Sequence, residues 1–250
     1  MDLDNAALQE LADALRGQLT DVRLEVGGEA SLAGSDADDP GTMDWWGEAT
    51  LSVWPEDDDS STAWWDHSGT ALSTAAMDGG GRKLTVLRAC GLIVNLWAVE
   101  NVYDALDARS QDYAGFLPMF GQRGSFGQVE LAPELDDMLG LGGGRVVILD
   151  RVRLAPAWRG LGGIGRLLIA RLLRWVSDDA RVVALKPFPI ELDEQECGDP
   201  AIFNKALARV RRTWRSLAFE PFTDDIWIMD PHMNAHGRAV RKIAKRLGLR

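Results

Sequence analysis

The sequence predicts an α/β fold of the α+β kind, a mixed central sheet flanked by helices. Two observations predict it. The second half of the chain reads strand, glycine loop, helix, strand, helix, strand, through "VVILDRVRL", "GLGGIG", Ile164 to Val176, "RVVALKPF", "AIFNKALARVRRTWRSLAF" and "DDIWIMDP". That order builds an α/β layer with a partly parallel sheet, because each helix carries the chain back across the strands. In the first half, "VRLEVGG" and "EATLSVWP" alternate apolar and polar residues as strands do, with the turn-rich "GSDADDPGT" between them.

Taken in order, Leu8, Leu11, Ala12, Leu15 and Leu19 recur at helical spacing and predict an amphipathic helix over about Asn5 to Leu19. "PEDDDSS" and "DGGGRK" are breaks, and "KLTVLRACGLIVNLWAVE", rich in β-branched residues, reads as one or two buried strands. "NVYDALDARSQDYAGFLPMF" has helical spacing, with Val102, Leu106 and Tyr113 on one face. "GLGGGR" precedes the strand "VVILDRVRL", and Pro187 and Pro189 end the strand "RVVALKPF". A last helix follows from the spacing of Val240, Ile243, Ala244 and Leu247.

The composition is that of a globular chain: 250 residues, 46% hydrophobic and 26% charged, enough for one large domain or two small ones. Three regions are expected: a strand-rich, acidic, tryptophan-rich region over 1–90, a second region over 91–231, and a basic C-terminal helix over 232–250. No lysine or arginine occurs between Leu24 and Gly81, whereas Asp36, Asp38, Asp39, Glu56, Asp57, Asp58 and Asp59 crowd that stretch. The net charge of -11 disfavours nucleic acid as a partner. The opening "MDLDNAALQELADALRGQL" is acidic and amphipathic, so no signal peptide is expected. No apolar run approaches the roughly 18 residues of a membrane span. Cys90 and Cys197 lie far apart without metal-ligand spacing, which suits a reducing compartment; the expected location is cytoplasmic. Of the ten tryptophans, five lie between Trp45 and Trp65. Most are expected to anchor packing, with a stacking surface for a ligand as the alternative.

The loop "RLAPAWRGLGGIGRLLIARLL" carries the chemistry. A helix start leaves backbone N–H groups unpaired and a partial positive charge, so a phosphate is stabilised there. Glycine lets the backbone come close to the phosphate, and Gly160, Gly162, Gly163 and Gly165 stand together, flanked by Arg159 and Arg166, whose guanidinium groups match phosphate oxygens. The alternative is a tight strand-to-helix turn with no ligand. Gly160 to Gly165 also spells G-x-G-x-x-G, but "APAWR" separates it from its strand and the next strand ends in "LKPFP" without an acid. A nicotinamide dinucleotide is therefore the weaker reading. No Gly-Lys-Ser/Thr follows, which excludes a Walker loop.

With Pro156 and Arg159 in place, "LAPAWRGLGGIGRLLIARLL" resembles the acyl-CoA pyrophosphate loop of the GCN5-related N-acetyltransferase family, Arg/Gln-x-x-Gly-x-Gly/Ala after a strand. "RVVALKPFP" sits where that family has its fifth strand, which splays from the fourth. "TWRSLAFEPFTDDIWIMDP" is similar to the family's late "YxxxGF" helix end and the strand after it; together the similarity covers about Val146 to Pro231. This sequence departs from the pattern by one extra loop residue, by Ala218 for the glycine, and by Trp214 for a tyrosine that gives a proton to the CoA thiolate. Indole is only a hydrogen-bond donor.

The resemblance implies an acyl-CoA N-acyltransferase-like fold and transfer of an acetyl group from acetyl-CoA, a co-substrate, to an amine. It implies that main-chain groups of Val152, Arg153 and Leu154 hold the pantetheine arm, and that Arg159, Gly160, Leu161, Gly162, Gly163, Ile164, Gly165 and Arg166 hold the diphosphate. The alternative is a non-catalytic acyl-CoA-binding module of the same fold. The attacking amine must shed a proton. Asp150, two residues before Val152 and on the same face by alternation, is the candidate base, with Glu191 and Glu100 as further carboxylates; the competing reading of Asp150 is a salt bridge to Arg151 or Arg153. His67, His232 and His236 show no metal spacing, and no metal is expected. The expected partner is a small-molecule or peptide amine, without a membrane and with a homodimer allowed.

Overall fold

The computed structural model describes residues 13–29, 39, 41–54, 69–140, 142–223 and 225–249. The first helix, α1, is described over residues 13–17 and ends in a 3-10 turn at Gln18–Thr20, with Leu15 and Leu19 buried. Strands β1 (Arg23–Glu29), β2 (Thr42–Val53), β3 (Ser73–Ala76) and β4 (Arg82–Asn95) follow. The segment with helical spacing folds as two short helices, α2 (Val102–Asp107) and α3 (Gln111–Ala114), because Asn101 and Ser110 each cap a separate helix start with their side chains. The hairpin of β5 (Phe120–Arg123) and β6 (Val129–Leu131) and the short α4 (Pro133–Asp136) come next. Then follow β7 (Arg145–Leu154), α5 (Ile164–Val176) and β8 (Ala180–Leu185). The chain ends with α6 (Glu194–Gly198), α7 (Pro200–Arg215), β9 (Glu220–Thr223), β10 (Ile226–Met229) and α8 (Asn234–Arg246).

The fold is mixed α/β, with one eight-stranded mixed sheet flanked by helices. Its strands run β1-β2-β4-β7-β8-β10-β9, with β3 paired to β4 off that path. Every pair is antiparallel except β7 and β8. Residue 90, the expected boundary between two regions, lies inside β4, and β1 and β2 continue the sheet that holds β7 and β8.

Two apolar clusters lie on the two faces of the sheet. One joins Leu15 and Leu19 to the inner side of α5, where Leu167, Leu168, Leu172 and Leu173 are buried, and to Ile243 of α8. Each such leucine contributes roughly 1.5–3 kcal/mol of apolar burial. The other joins α2, Phe116, Met119, Leu131 and Leu135 to Val146 and Ile148 of β7. The tryptophans divide: Trp45, Trp158 and Trp227 are buried, whereas Trp46, Trp54, Trp97 and Trp175 are exposed. Trp64, Trp65 and His67 lie outside the described residues. Among the described residues no helix is long and apolar enough to cross a membrane.

Candidate functional site

The site begins where β7 and β8 part. Their parallel pairing ends at Leu149↔Leu185, after which β7 continues to Leu154 while β8 stops. Pro187 and Pro189 explain the stop, since proline has no N–H to give to a ladder. The edge of β7 from Asp150 onward is thus left to the opening between the strands.

A bulge in β7 sets which side chains meet that opening. Opposite β4, Gly91 pairs with Leu149 and Cys90 with Arg151, so Asp150 is the extra residue. The Trp45 indole donates to the Ile148 carbonyl beside it at 3.2 Å, passing over Gly91, where a Cβ would collide with that carbonyl. An extra residue reverses the alternation of a strand. Before the bulge Val147 and Leu149 face α5; after it Val152 and Leu154 do, and Arg151 and Arg153 are exposed. Asp150 and Val152 share the opening as expected, through a bulge rather than through simple alternation.

Beyond Leu154 the chain is pinned before it turns into α5. Trp158, buried, donates from its indole N–H to the Thr70 carbonyl at 2.8 Å. The Ala155 and Ala157 N–H groups donate to the carbonyls of Val86 and Gly69. The loop then turns through Gly160, Gly162 and Gly163, with φ of 76°, 77° and 111°, a left-handed run that other residues adopt only with strain. Gly163 caps α5, and no side chain among the described residues accepts from the helix start.

Two guanidinium groups converge on that helix start. A Cβ at Gly163 would lie 2.7 Å from an Arg166 nitrogen and 2.9 Å from an Arg246 nitrogen. Arg166 donates to Ser216 Oγ at 2.9 Å, and Arg246, from α8, donates to the Gly162 carbonyl. Neither has an acidic partner among the described residues. Burial, and then the Arg246 charge, push the Arg166 pKa down from its ordinary value. Arg159 is turned away, donating to the Leu154 carbonyl at 3.0 and 2.8 Å and pairing with Glu191 at 2.8 Å.

The helix start and the β7 edge open on one cleft of about 970 Å³, at the upper end of small-molecule sites. Of the residues expected at a cofactor, Val152, Leu154, Arg159, Gly160, Gly162, Gly163, Ile164, Gly165 and Arg166 line it, and so does Asp150. Arg153 and Leu161 do not: the Arg153 side chain is exposed and Leu161 packs into the core. Glu191 lines the cleft but is held by Arg159, and Glu100 lies away from it, its main chain bonded to Asp39 and Arg123.

Trp214 lines the same cleft from α7. The turn after it is a Schellman motif: the Phe219 N–H donates to the Trp214 carbonyl and the Ala218 N–H to that of Arg215. Ala218 takes φ of 69°, the left-handed value usually left to glycine.

Electrostatics gather around Asp150. It forms no ion pair or side-chain hydrogen bond among the described residues, so the expected alternative of a bridge to Arg151 or Arg153 is not formed. Burial raises its pKa; Arg151 lowers it and Asp112 raises it further. Burial, and then Asp150, also push up the Cys90 thiol and the Tyr113 phenol, and both stay protonated at neutral pH. His236 Nδ1 lies 2.9 Å from the Leu217 carbonyl, and His232 is exposed. Among the described residues no three His, Cys, Asp or Glu side chains are grouped as metal ligands.

Sequence reasoning missed Arg246, Lys186 and the bulge. Arg246 adjoins Leu247, the end of the apolar stripe of α8, so the helical pattern could have placed it beside α5. Lys186 was visible as a charge ending an apolar strand. The bulge has no local signal, because it arises only from pairing with β4. Compared with family models and with curated proteins, the sequence matches none.

Proposed function

We propose that this protein is a cytoplasmic N-acetyltransferase of the GCN5-related kind, which moves an acetyl group from acetyl-CoA to an amine. The observation that carries the reading is the start of α5, where no side chain among the described residues caps the helix and Arg166 and Arg246 face each other at the mouth of the cleft without a described acidic partner. Two like charges so placed repel unless an anion lies between them. A diphosphate supplies the anion, and N–H groups at the helix start add to its binding.

The rest of the cleft suits the rest of such a molecule. The β7 edge from Asp150 to Leu154 offers main-chain groups to an extended pantetheine arm, as an added strand would use them. Apolar Val152, Leu154, Val210 and Trp214 exclude water beside it. Bound acetyl-CoA supplies an activated acyl carbon. The protein supplies position and a base: Asp150, at the point where the strands part, takes the proton of the acceptor nitrogen.

A second reading has an observation of its own. Trp214 lines the cleft with an indole whose N–H is too weak an acid to protonate a thiolate, as in an acyl-CoA-binding module without turnover. Acetyl-CoA consumption against a panel of polyamines, amino acids and peptide amines separates the two. Turnover with any of them supports the transferase; binding without turnover supports the module; neither sinks both.

A further inference from the structure

We propose that Lys186 is the cation that receives the leaving sulfur of the thioester and holds it as a thiolate. The proposal rests on the acyl-CoA reading above. The strand register places it. Leu149 and Leu185 are the last paired residues of β7 and β8, so Asp150 and Lys186 are the next residue on each side of one opening. Both line the cleft, and no ion pair joins them.

The surroundings of Lys186 are those of a charge kept for a partner. It is half-buried and has no acidic partner among the described residues. Its ammonium lies 5.3 Å from the centroid of the Phe116 ring, and a Cβ on Gly115 would collide with Nζ. An ammonium taken partly out of water pays for desolvation that an aromatic face returns only in part. A transient anion beside it returns the rest.

The step balances without a further reactant. The acceptor nitrogen bonds to the acyl carbon and the carbon–sulfur bond breaks, its electron pair going to sulfur. A proton leaves the nitrogen for the Asp150 carboxylate, and the sulfur leaves as a thiolate paired with the Nζ ammonium of Lys186. Solvent then gives the sulfur a proton and removes one from Asp150. Arg166 and Arg246 stand at the helix start and cannot serve both ends of the molecule.

The test needs no acceptor. CoA bound to the protein is titrated with pH, and its thiolate is followed by ultraviolet absorbance in wild type, Lys186→Met and Lys186→Arg. The bound thiol is expected to ionise about one pH unit or more below free CoA in wild type. Lys186→Met should abolish the shift and Lys186→Arg, which keeps the charge, should retain it. Gly115→Ala provides an independent arm: its φ of -66° accepts any residue, and the added methyl displaces the ammonium, so part of the shift should be lost. A wild-type thiol that ionises at or above the pH of free CoA overturns the proposal, as does a shift that survives Lys186→Met. In both cases CoA binds and the parent reading stands. If wild type does not bind CoA at all, the parent reading fails, and this one with it.

Discussion

Trp214 lies edge-on against Phe219 across the turn that ends α7, ring centroids 5.3 Å apart and planes at 69°. The contact joins the first and last residues of the six-residue Schellman turn, Trp214 and Phe219, whose side chains that turn brings together. It holds the indole at the wall of the cleft. The cost falls on Ala218, whose methyl sits on a left-handed backbone. Ala218→Gly is therefore expected to stabilise the protein by about 1 kcal/mol, the left-handed penalty less the extra freedom of glycine when unfolded. Urea denaturation reads it, and a loss of stability would mean that the turn is not strained.

The paired guanidinium groups of Arg166 and Arg246 predict an anion-dependent stability. Inorganic pyrophosphate should raise the Tm of wild type, following the free energy of binding to the folded state alone, about 2.7 kcal/mol at one hundred times Kd. Arg246→Ala should lose most of that rise while keeping its α8 packing, since Ile243 carries the burial. An equal rise in the variant would place the anion elsewhere.

Asp150 predicts two pH effects. Its folded pKa is raised by burial, so the folded state holds the proton more tightly than the unfolded chain does. The stability it contributes is present below the ordinary carboxylate range and is lost as pH rises through the raised value. Asp150→Asn should thus be more stable than wild type at neutral pH, the gap closing on acidification; urea titrations at a series of pH values measure it. If Asp150 is the base, kcat/KM rises through that same raised pKa. The rise should vanish in the variant, with a loss of about 10²–10⁴-fold.

Trp158 anchors the approach to the loop. Trp158→Ala should cost about 3–5 kcal/mol, as for other large buried aromatics. Trp158→Phe should cost about 1 kcal/mol for the lost bond to the Thr70 carbonyl. Chemical denaturation checks both, and equal costs would mean that the hydrogen bond rather than packing holds the loop.

Much of this was legible in the sequence where one segment decides its own structure. The helix from Ile164 to Val176 has the bounds that its apolar spacing predicts, because leucines at that spacing need only one sheet face to cover them. The stop of β8 before Pro187 follows from proline alone. Ten of the twelve expected site residues line the cleft because they follow one another along β7, the loop and α5. What escaped depends on pairing between distant segments. β3 and β9 are four residues each, too short for alternation to stand out. β2 begins at Thr42, ahead of its alternating part. Asp150 bulges only because β4 offers one residue where β7 offers two, and Arg246 reaches Gly162 only because α8 packs on α5.

Calorimetric titration with acetyl-CoA tests the central claim most directly, in wild type and in the Arg166→Ala/Arg246→Ala double variant, with acetyl-pantetheine as the ligand that lacks the diphosphate. Charge-assisted hydrogen bonds of roughly 1.5–3 kcal/mol each predict that the double variant loses acetyl-CoA affinity by at least about 100-fold, while its weak affinity for acetyl-pantetheine is unchanged. Equal acetyl-CoA affinity in the two proteins would contradict the account and leave the start of α5 as a turn without a ligand.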